Sequence, residues 1–441
     1  MASTILTRTV ASTGNNKILT WSGWVKRSDS STGQLIFANG DPGSSNYIIF
    51  FEFTGAGLRF IIKSLSILAN VETNAVFRDL SAYYHLVFNM DTTQATASNR
   101  IKMYVNGEQI TSFVTASYPS QNLGTQFNNA ASVISVGGKA VTGANTDFFN
   151  GYMSHVHFID GTVYGPSTFG ETDSLTGIWK PITSPSVTYG TNGFFLNFSN
   201  SGSMGTDSSG EGNNLAVTGT LTQTQDTPSN VYATYNPLGN FFPADTFSNG
   251  NTTQTTNAGN YTYNISTLGA SNGKYYCEIK NSTNNNNSIG IADRPSISTT
   301  NGLTGTTYGW AYVMSGQVYN NGSIVATYNT VTTNDIVGIA LDLDNNKVYF
   351  SKNGTWQGSS DPSAGTGGIS ITDPASNRTG FYFFGSGDEA TNSAVHNANF
   401  GNGYFGTTAV ASAGTNASGI GIFEYDVPTG YTALSTKGLN L

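Results

Sequence analysis

The glutamates are the residues that could cleave a glycosidic bond. Retaining glycoside hydrolysis needs two carboxylates about 5 Å apart, one as nucleophile and one as acid. On a strand, the pattern Glu-x-Asp-x-x-Glu places the first two carboxylates on one face, because side chains alternate with period 2. None of the eight glutamates begins this pattern. The nearest sequence is Glu171-Thr-Asp173, which has Thr176 in the final position and is typical of a loop. We predict no catalytic residue and no enzyme activity, although a carboxylate pair assembled from distant strands stays open.

Two other patterns could hold a metal ion. His155-Val-His157 places two imidazoles on one strand face, but two ligands make an incomplete site, so we expect the pair to line a sheet surface or an interface. Calcium prefers oxygen ligands, and Asp207, Asn213 and Asn214 supply them in a glycine-rich loop, although the set is incomplete. These three residues are the candidate ligands of a structural calcium ion, and no other cofactor is expected.

The composition limits the classes of partner. Only 10% of the 441 residues are charged, and the formal net charge is −8. No basic run exceeds Lys26-Arg27, so nucleic acid, which is bound by clustered Lys and Arg, is not an expected partner. A neutral surface rich in Gly, Asn, Ser and Thr suits contact with other proteins or with sugar hydroxyls.

Cysteine content and apolar runs indicate the compartment. Cys277 is the single cysteine, so no intrachain disulfide can form, and the alternation around it predicts a buried thiol. The first residues lack the apolar centre of a signal peptide, and no run of about 18 apolar residues follows. We expect synthesis in a cytoplasm and no membrane insertion.

The elements that would position these residues are strands. Residues 336–343 alternate between two faces, residues 344–346 favour a turn, residues 347–351 return as a strand, and Asn353-Gly354 is a strong hairpin signal. Short alternating runs also fill the first half, and no segment sustains a 3.6-residue period. Residues 165–179 are the one candidate for a short helix. The pattern predicts an all-β chain, and its length predicts two domains of about 200 residues.

Five motifs occur in order in the first half. They are Trp21-Ser-Gly-Trp-Val-Lys-Arg27, Tyr84-His-Leu-Val-Phe88, Lys102-Met-Tyr-Val-Asn-Gly107, Ser135-Val-Gly-Gly138 and Phe149-Asn-Gly-Tyr-Met-Ser-His-Val-His-Phe158. Together they resemble the laminin-G-like family of concanavalin-type jelly rolls over about residues 3–160. The resemblance implies an antiparallel β-sandwich.

The end of this domain departs from the family pattern. Phe194-Phe-Leu-Asn-Phe198 and the loop that begins at Asp207 resemble the segment that normally opens a laminin-G-like domain. We infer a rearranged order, in which residues 194–221 supply the strands missing from the beginning, because the termini of a sandwich often lie close together. The predicted first domain is therefore 1–221. Residues 222–238 are polar with two prolines and are predicted to be a linker.

The second half carries six further motifs besides the 336–354 hairpin. They are Gly273-Lys-Tyr-Tyr-Cys-Glu-Ile279, Ser288-Ile-Gly-Ile-Ala292, Tyr308-Gly-Trp-Ala-Tyr312, Gln317-Val-Tyr-Asn-Asn-Gly322, Gly380-Phe-Tyr-Phe-Phe384 and Val395-His-Asn-Ala-Asn-Phe-Gly401. They resemble the SPRY domain, a second concanavalin-like sandwich, which we place at 239–441. The resemblance points to a binding module, so the chain is expected to contain two concanavalin-like jelly-roll domains in tandem.

Two segments resemble proteins of tailed bacteriophages. One is the closing segment Phe423-Glu-Tyr-Asp-Val-Pro-Thr-Gly-Tyr-Thr-Ala-Leu434, and the other is the connection Asp226-Thr-Pro-Ser-Asn-Val-Tyr-Ala-Thr-Tyr-Asn-Pro-Leu238 between the two domains. The resemblance implies a structural and adhesive virion protein, either a tail fibre or receptor-binding appendage or a head-decorating fibre.

Aromatic and amide side chains are the expected means of recognition. Tyrosine offers an apolar face and a polar tip to a sugar ring, and loops on rigid sandwiches concentrate binding residues. The candidates are Tyr308, Tyr312, Tyr319, Asn320, Asn321 and Asn353. Most other aromatic residues, including Trp21, Trp24 and Trp310, are expected to pack in the cores.

The expected partners are other virion proteins and a host-surface glycan or protein, bound noncovalently by several copies of the chain. The alternative function is a glycan-cleaving depolymerase on the virion or a secreted carbohydrate-active enzyme. An intracellular SPRY adaptor that binds peptides ranks third. We expect the second domain to point away from the particle.

Overall fold

The computed structural model describes residues 4–40, 48–64, 66–140, 142, 145–174, 177–241, 245–257, 259–283, 287–389 and 393–441. The chain divides into two compact units, Met1–Gln223 and Thr224–Leu441. No helix in the described ranges has the length and apolarity needed to cross a membrane. Single turns of 3-10 helix are present at Ala97–Asn99, Pro166–Thr168, Pro237–Gly239, Leu303–Gly305, Pro374–Ser376 and Gly438–Asn440.

The first unit is built from short strands. They are β1 (Ile5–Thr9), β2 (Ile18–Arg27), β3 (Gly33–Gly40), β4 (Ile48–Thr54), β5 (Gly57–Lys63), β6 (Ile67–Thr73), β7 (Tyr84–Asp91), β8 (Ile101–Val105), β9 (Glu108–Gln109), β10 (Phe113–Ser117), β11 (Val133–Val136), β12 (Gly151–Asp160), β13 (Gly170–Thr172), β14 (Trp179–Pro181), β15 (Phe194–Leu196) and β16 (Ala216–Thr218). One sheet has the order β10-β6-β5-β4-β3-β11-β1-β16, and the other has the order β15-β12-β2-β7-β8-β9.

The segment 194–221 takes part in both sheets of the first unit. β15 pairs antiparallel with β12, in the register Val156↔Leu196, and β16 pairs antiparallel with β1, in the register Leu6↔Val217. The end of the unit therefore lies beside its first strand.

Alternation along the strands fills the space between the two sheets with aromatic side chains. Phe51 and Phe88 stack with ring centroids 4.3 Å apart, and Trp21 lies 5.8 Å from Phe88. Trp21 is buried in this core, as expected, whereas Trp24 is buried outside it and stacks on His85 with ring centroids 4.7 Å apart. The outer face of the β2-containing sheet is covered too, because Phe169 and Tyr189 pack on it with Val87.

Strands also make up the second unit. They are β17 (Thr246–Ser248), β18 (Thr253–Thr255), β19 (Thr262–Ile265), β20 (Lys274–Asn281), β21 (Asn287–Ala292), β22 (Gly309–Val313), β23 (Gln317–Asn320), β24 (Ser323–Thr327), β25 (Ile336–Asp342), β26 (Lys347–Lys352), β27 (Thr355–Trp356), β28 (Ile369–Ser370), β29 (Phe383–Asp388), β30 (Val395–Asn399), β31 (Tyr404–Phe405), β32 (Thr408–Ala409) and β33 (Thr432–Ala433). One sheet follows the order β17-β18-β30-β20-β25-β26-β27, and the other follows β19-β29-β21-β22-β23-β24.

The core of the second unit lies between these sheets. Cys277 and Ile279 of β20 face it, together with Ile291, Trp310 and other apolar residues. Cys277 is fully buried and free, as predicted, and burial raises the pKa of its thiol well above the ordinary value. The all-β, concanavalin-like fold predicted for the chain is confirmed.

Two local predictions were wrong. The helix expected over 165–179 is absent from the described part of that range, where Pro166–Thr168 forms a 3-10 turn and β13 pairs with β14.

The polar linker expected over 222–238 belongs to the second unit from Thr224 onward. Apolar side chains interleaved with its polar residues dock on that unit, and Tyr235 is fully buried with its Oη 2.6 Å from Ser386 Oγ. The second domain therefore begins well before residue 239.

Candidate functional site

The turn between β23 and β24, residues 320–322, is an exposed tip of the second unit, which we call the hairpin tip. Asn321 and Gly322 have φ angles of 48° and 75°. Two successive residues with positive φ are typical of a type I′ turn, whose twist matches the strands that it joins, and Asn-Gly is the sequence that best tolerates it. The local sequence therefore determines the shape of the tip.

A neighbouring loop, residues 302–309, holds the hairpin tip in place. The Asn320 side-chain amide donates to the carbonyl oxygens of Thr307 and Gly309, at 3.0 and 2.9 Å. The backbone N–H of Gly322 donates to Thr304 O at 2.9 Å. Because the tip is bonded on both sides of its turn, its binding groups are preorganised and lose little entropy when they meet a ligand.

Glu389 anchors that loop from a distant part of the sequence. Its carboxylate accepts hydrogen bonds from the backbone N–H and the hydroxyl of Thr304, at 3.1 and 2.5 Å. Burial raises the pKa of Glu389 above its ordinary value. Sequence reasoning missed this residue, because no local pattern links position 389 to position 304.

Two of the predicted tyrosines lie near the hairpin tip. Tyr308 is half-buried, and the Arg378 guanidinium lies over its ring, 4.7 Å from the centroid. Tyr319 is also half-buried, stands opposite Ile324 in the β23–β24 pair, and donates its hydroxyl to Gln317 Oε1 at 2.9 Å. Tyr308, Tyr319, Asn320 and Asn321 therefore cluster on one hairpin and its adjoining loop.

Two other predicted binding residues do not belong to this cluster. Tyr312 is 1% exposed and donates its hydroxyl to Asn329 O, so its ring is part of the core and cannot meet a sugar. The side chain of Asn353 is already hydrogen-bonded within the protein at both polar atoms, because its Oδ1 accepts from Ile336 N at 2.8 Å and its Nδ2 donates to Asp335 Oδ1 at 2.7 Å.

Asn353 also lies at the opposite end of the hairpin strands. The hairpin tip contacts Thr306 and Thr307, which precede β22. The Asn353 turn is instead linked through Asp335 to Thr332, and the adjacent Val331 donates its backbone N–H to the carbonyl oxygen of Met314, which follows β22. Turn chemistry predicted that both Asn-Gly pairs lie at exposed strand ends. Whether the two turns lie at the same end of the unit depends on how the strands pair.

The candidate calcium loop is organised by hydrogen-bond donors. Asp207 Oδ1 accepts from the backbone N–H groups of Phe195 and Ser209, and Oδ2 accepts from Ser209 Oγ and from the backbone N–H of Asn213, all at 2.8–2.9 Å. Asn214 Oδ1 accepts from Asp207 N at 2.8 Å. A cation at these oxygens would face N–H groups, so the predicted ligands do not fit calcium.

Asn213 joins this loop to the rest of the first unit. It is 6% exposed, and its Nδ2 donates to Thr191 O and Gly193 O at 3.1 and 2.7 Å. Its Oδ1 accepts a hydrogen bond from the Arg8 guanidinium. The residue therefore fastens the rearranged segment to β1.

The histidines are held by protein partners. His157 Nδ1 lies 2.9 Å from Tyr189 Oη, and His155 Nδ1 lies 2.7 Å from Ser154 Oγ. The pairing of β12 with β2 is irregular between Ser154 and His157, and His155 has a φ of 47°, so the regular spacing of a chelating pair is lost. Within the described ranges, no group of three His, Cys, Asp or Glu residues could hold a metal ion.

Comparison with known families supports both halves of the sequence interpretation. Residues 3–164 match the concanavalin A-like lectin/glucanases superfamily in its laminin-G form, and residues 274–360 match the SPRY domain. No curated protein sequence matches the chain.

Several solved structures resemble parts of the chain. The SPRY domain of human HERC1 is 18% identical, with a TM-score of 0.31, over 37% of this chain and 96% of that one. Ruminococcus gnavus IT-sialidase CBM40, bound to α2,3-sialyllactose, is 16% identical, with a TM-score of 0.25, over 31% of this chain and 72% of that one. A heptameric pentraxin from Limulus polyphemus is 13% identical, with a TM-score of 0.30, over 41% and 83%. From the family matches, the chain contains a laminin-G-like, concanavalin-type domain and a SPRY domain.

Proposed function

We propose that the chain is a structural and adhesive protein of a bacteriophage particle, used as a tail fibre, a receptor-binding appendage or a head-decorating fibre. It binds a host-surface glycan or protein without a chemical reaction, and it docks on other virion proteins in several copies. It is made in the host cytoplasm and located in the virion. Nucleic acid and membrane insertion have no part in its function.

The observation that carries this proposal is the packing of the two phage-like segments against each other. The backbone N–H of Ala233 donates to Leu434 O at 3.0 Å, and the backbone N–H of Thr436 donates to Val231 O at 2.9 Å. Tyr232 packs with Phe423, Val427 and Tyr431 in one buried cluster. The two resemblances therefore concern one structural feature, which closes the second unit outside the SPRY match itself.

The hairpin tip supports a binding role. It presents neutral amides on a preorganised turn, and Asn321 Nδ2 donates no hydrogen bond to any residue that the structure describes. Such groups suit sugar hydroxyls or a polar protein surface. One neutral tip binds weakly, so many copies on a particle would supply the affinity by avidity.

The burial of the acidic residues with the most raised pKa values supports a function without catalysis. Burial raises the pKa of Glu278 to about 7 and that of Asp245 to about 6. Both are enclosed, at 0% and 4% exposed, and both accept hydrogen bonds from neighbouring structural groups. Neither carboxylate can reach a polymeric substrate.

Binding of the labelled full chain to host cells tests the adhesive role. Asn321→Gly removes the amide and tolerates the positive φ, and Asn334→Gly is the matched control, because Asn334 is also exposed with a φ of 70°. We expect Asn321→Gly to weaken cell binding several-fold and Asn334→Gly to leave it unchanged. Equal binding by both variants would contradict the role of the tip, and release of reducing ends from the host envelope would favour the depolymerase.

A further inference from the structure

Strand β24 is an open edge of the second unit. It is the last strand of its sheet, and its one neighbour among the described residues is β23. Ile324 and Val325 are 51% and 45% exposed, and both flanking residues, Ser323 and Thr327, are exposed as well. An edge strand presents unpaired N–H and C=O groups, which are a template for another strand.

The usual protection of such an edge is incomplete here. Natural edge strands carry charged residues or proline, or are covered by other elements. No charged residue occurs in the 40 positions 295–334, which include β22, β23 and β24, and β24 contains no proline. An irregularity in the pairing between Val318 and Tyr319 is the one protective device present, and it leaves Tyr319 opposite Ile324.

The edge at β10 in the first unit makes an instructive contrast. Val114 is 66% exposed there, and β10 also lacks charge. The strands beside it, however, carry the ladder Glu52, Arg59 and Glu72, with Arg59 within 3.9 Å of Glu72, and Glu72 pairs with Thr115. Charged side chains one strand away discourage a second sheet from docking, and β22 and β23 have none.

We propose that β24 pairs with β24 of a second copy of this chain, antiparallel across a two-fold axis. In an isologous contact the same surface of both copies meets itself, so a charged residue on this edge would lie near the same charge on the second copy and be repelled by it. The uncharged strands avoid this cost. The exposed side chains of Ile324 and Val325 then lie along the new pair of strands, where pairing removes part of their apolar surface from water. Because the strand is already formed, pairing costs less ordering entropy than the capture of a flexible peptide.

This pairing goes beyond the proposed function, because it does not depend on the ligand of the hairpin tip. It also places the two hairpin tips at opposite ends of the paired strands, since each tip directly precedes β24 and the strands run antiparallel. A dimer can therefore form in a chain that binds no cell, and cell binding can persist in a chain that stays monomeric.

Analytical ultracentrifugation of the full chain over a range of concentrations tests the pairing. We expect the mass to rise with concentration from one 46.6-kDa chain to two. Val325→Lys should keep the chain monomeric, and the matched control Val114→Lys, at the β10 edge, should dimerise like the wild type. A wild-type monomer throughout, a limiting mass of three chains, or loss of the dimer in the Val114→Lys control would overturn the proposal.

Hydrogen exchange of the wild-type chain provides a readout that does not depend on the folding of a variant. Amides of residues 323–327 should exchange more slowly as the concentration rises, while those of β10 should not change. Concentration-independent exchange at β24 would refute the pairing.

Discussion

Asn213 should contribute strongly to the stability of the first unit. Replacement by alanine removes three hydrogen bonds, two to the carbonyl oxygens of Thr191 and Gly193 and one from Arg8. Each is worth about 1 kcal/mol net, and we count the bond to the partly exposed Arg8 like a neutral one because water screens it. Asn213→Ala should therefore destabilise the unit by about 3 kcal/mol.

A loss of this size is measurable by thermal unfolding with hydrogen exchange as a local readout. For a unit of this length, about 3 kcal/mol lowers the unfolding midpoint by about 9 °C. Amides of β1 and β16 should exchange faster, while those of the second unit should keep their protection. The control is Asn200→Ala, because Asn200 is exposed and accepts one bond from Gly202 N, and its effect should stay below about 0.5 kcal/mol.

The same experiment distinguishes stabilisation by the hydrogen bonds of Asn213 from stabilisation by the calcium ion that the sequence suggested. If Asn213 acts through hydrogen bonds, addition of calcium or of a chelator should leave the midpoint unchanged. A midpoint that rises with calcium and falls with a chelator, or an Asn213→Ala variant as stable as Asn200→Ala, would refute the reasoning.

Three further predictions concern buried titratable groups of the second unit. Cys277 should resist a thiol reagent in the native state, because its thiol is buried with a raised pKa, and rapid native-state labelling would contradict this. Burial lowers the pKa of His396 from 6.5 to about 3, so the unit should lose about 5 kcal/mol as the pH falls through that range, and His396→Leu should remove this loss in acid-unfolding curves. Glu278 accepts the backbone N–H groups of Glu424 and Tyr425, so Glu278→Ala should speed hydrogen exchange at these amides by about tenfold or more, and unchanged exchange would argue against the anchor.

Local turn chemistry and alternation predicted the hairpins well. The expected hairpin became β25 and β26, and Asn353 and Gly354 have φ angles of 48° and 77°, as the Asn-Gly signal requires. These features depend on neighbouring residues, so the sequence contains the necessary information. Alternation could not show that both faces of β25 are buried, because a segment about 80 to 90 residues later in the chain covers its outer face.

The candidate site was predictable only in part, for a related reason. The hairpin tip depends on adjacent residues, and its exposed Asn-Gly turn was expected. Whether a tyrosine faces the core or the solvent depends on which sheet lies beneath it, so Tyr312 and Tyr319 looked equivalent before folding. Similarly, the N–H groups that donate hydrogen bonds to the Asp207 carboxylate come from residues whose positions depend on the folded loop.

Mass spectrometry of purified phage particles tests the central claim most directly. The account predicts peptides from both units of this chain in every particle preparation, in several copies per particle. Their absence from purified particles would contradict the claim that this two-domain β protein is a structural and adhesive component of a virion.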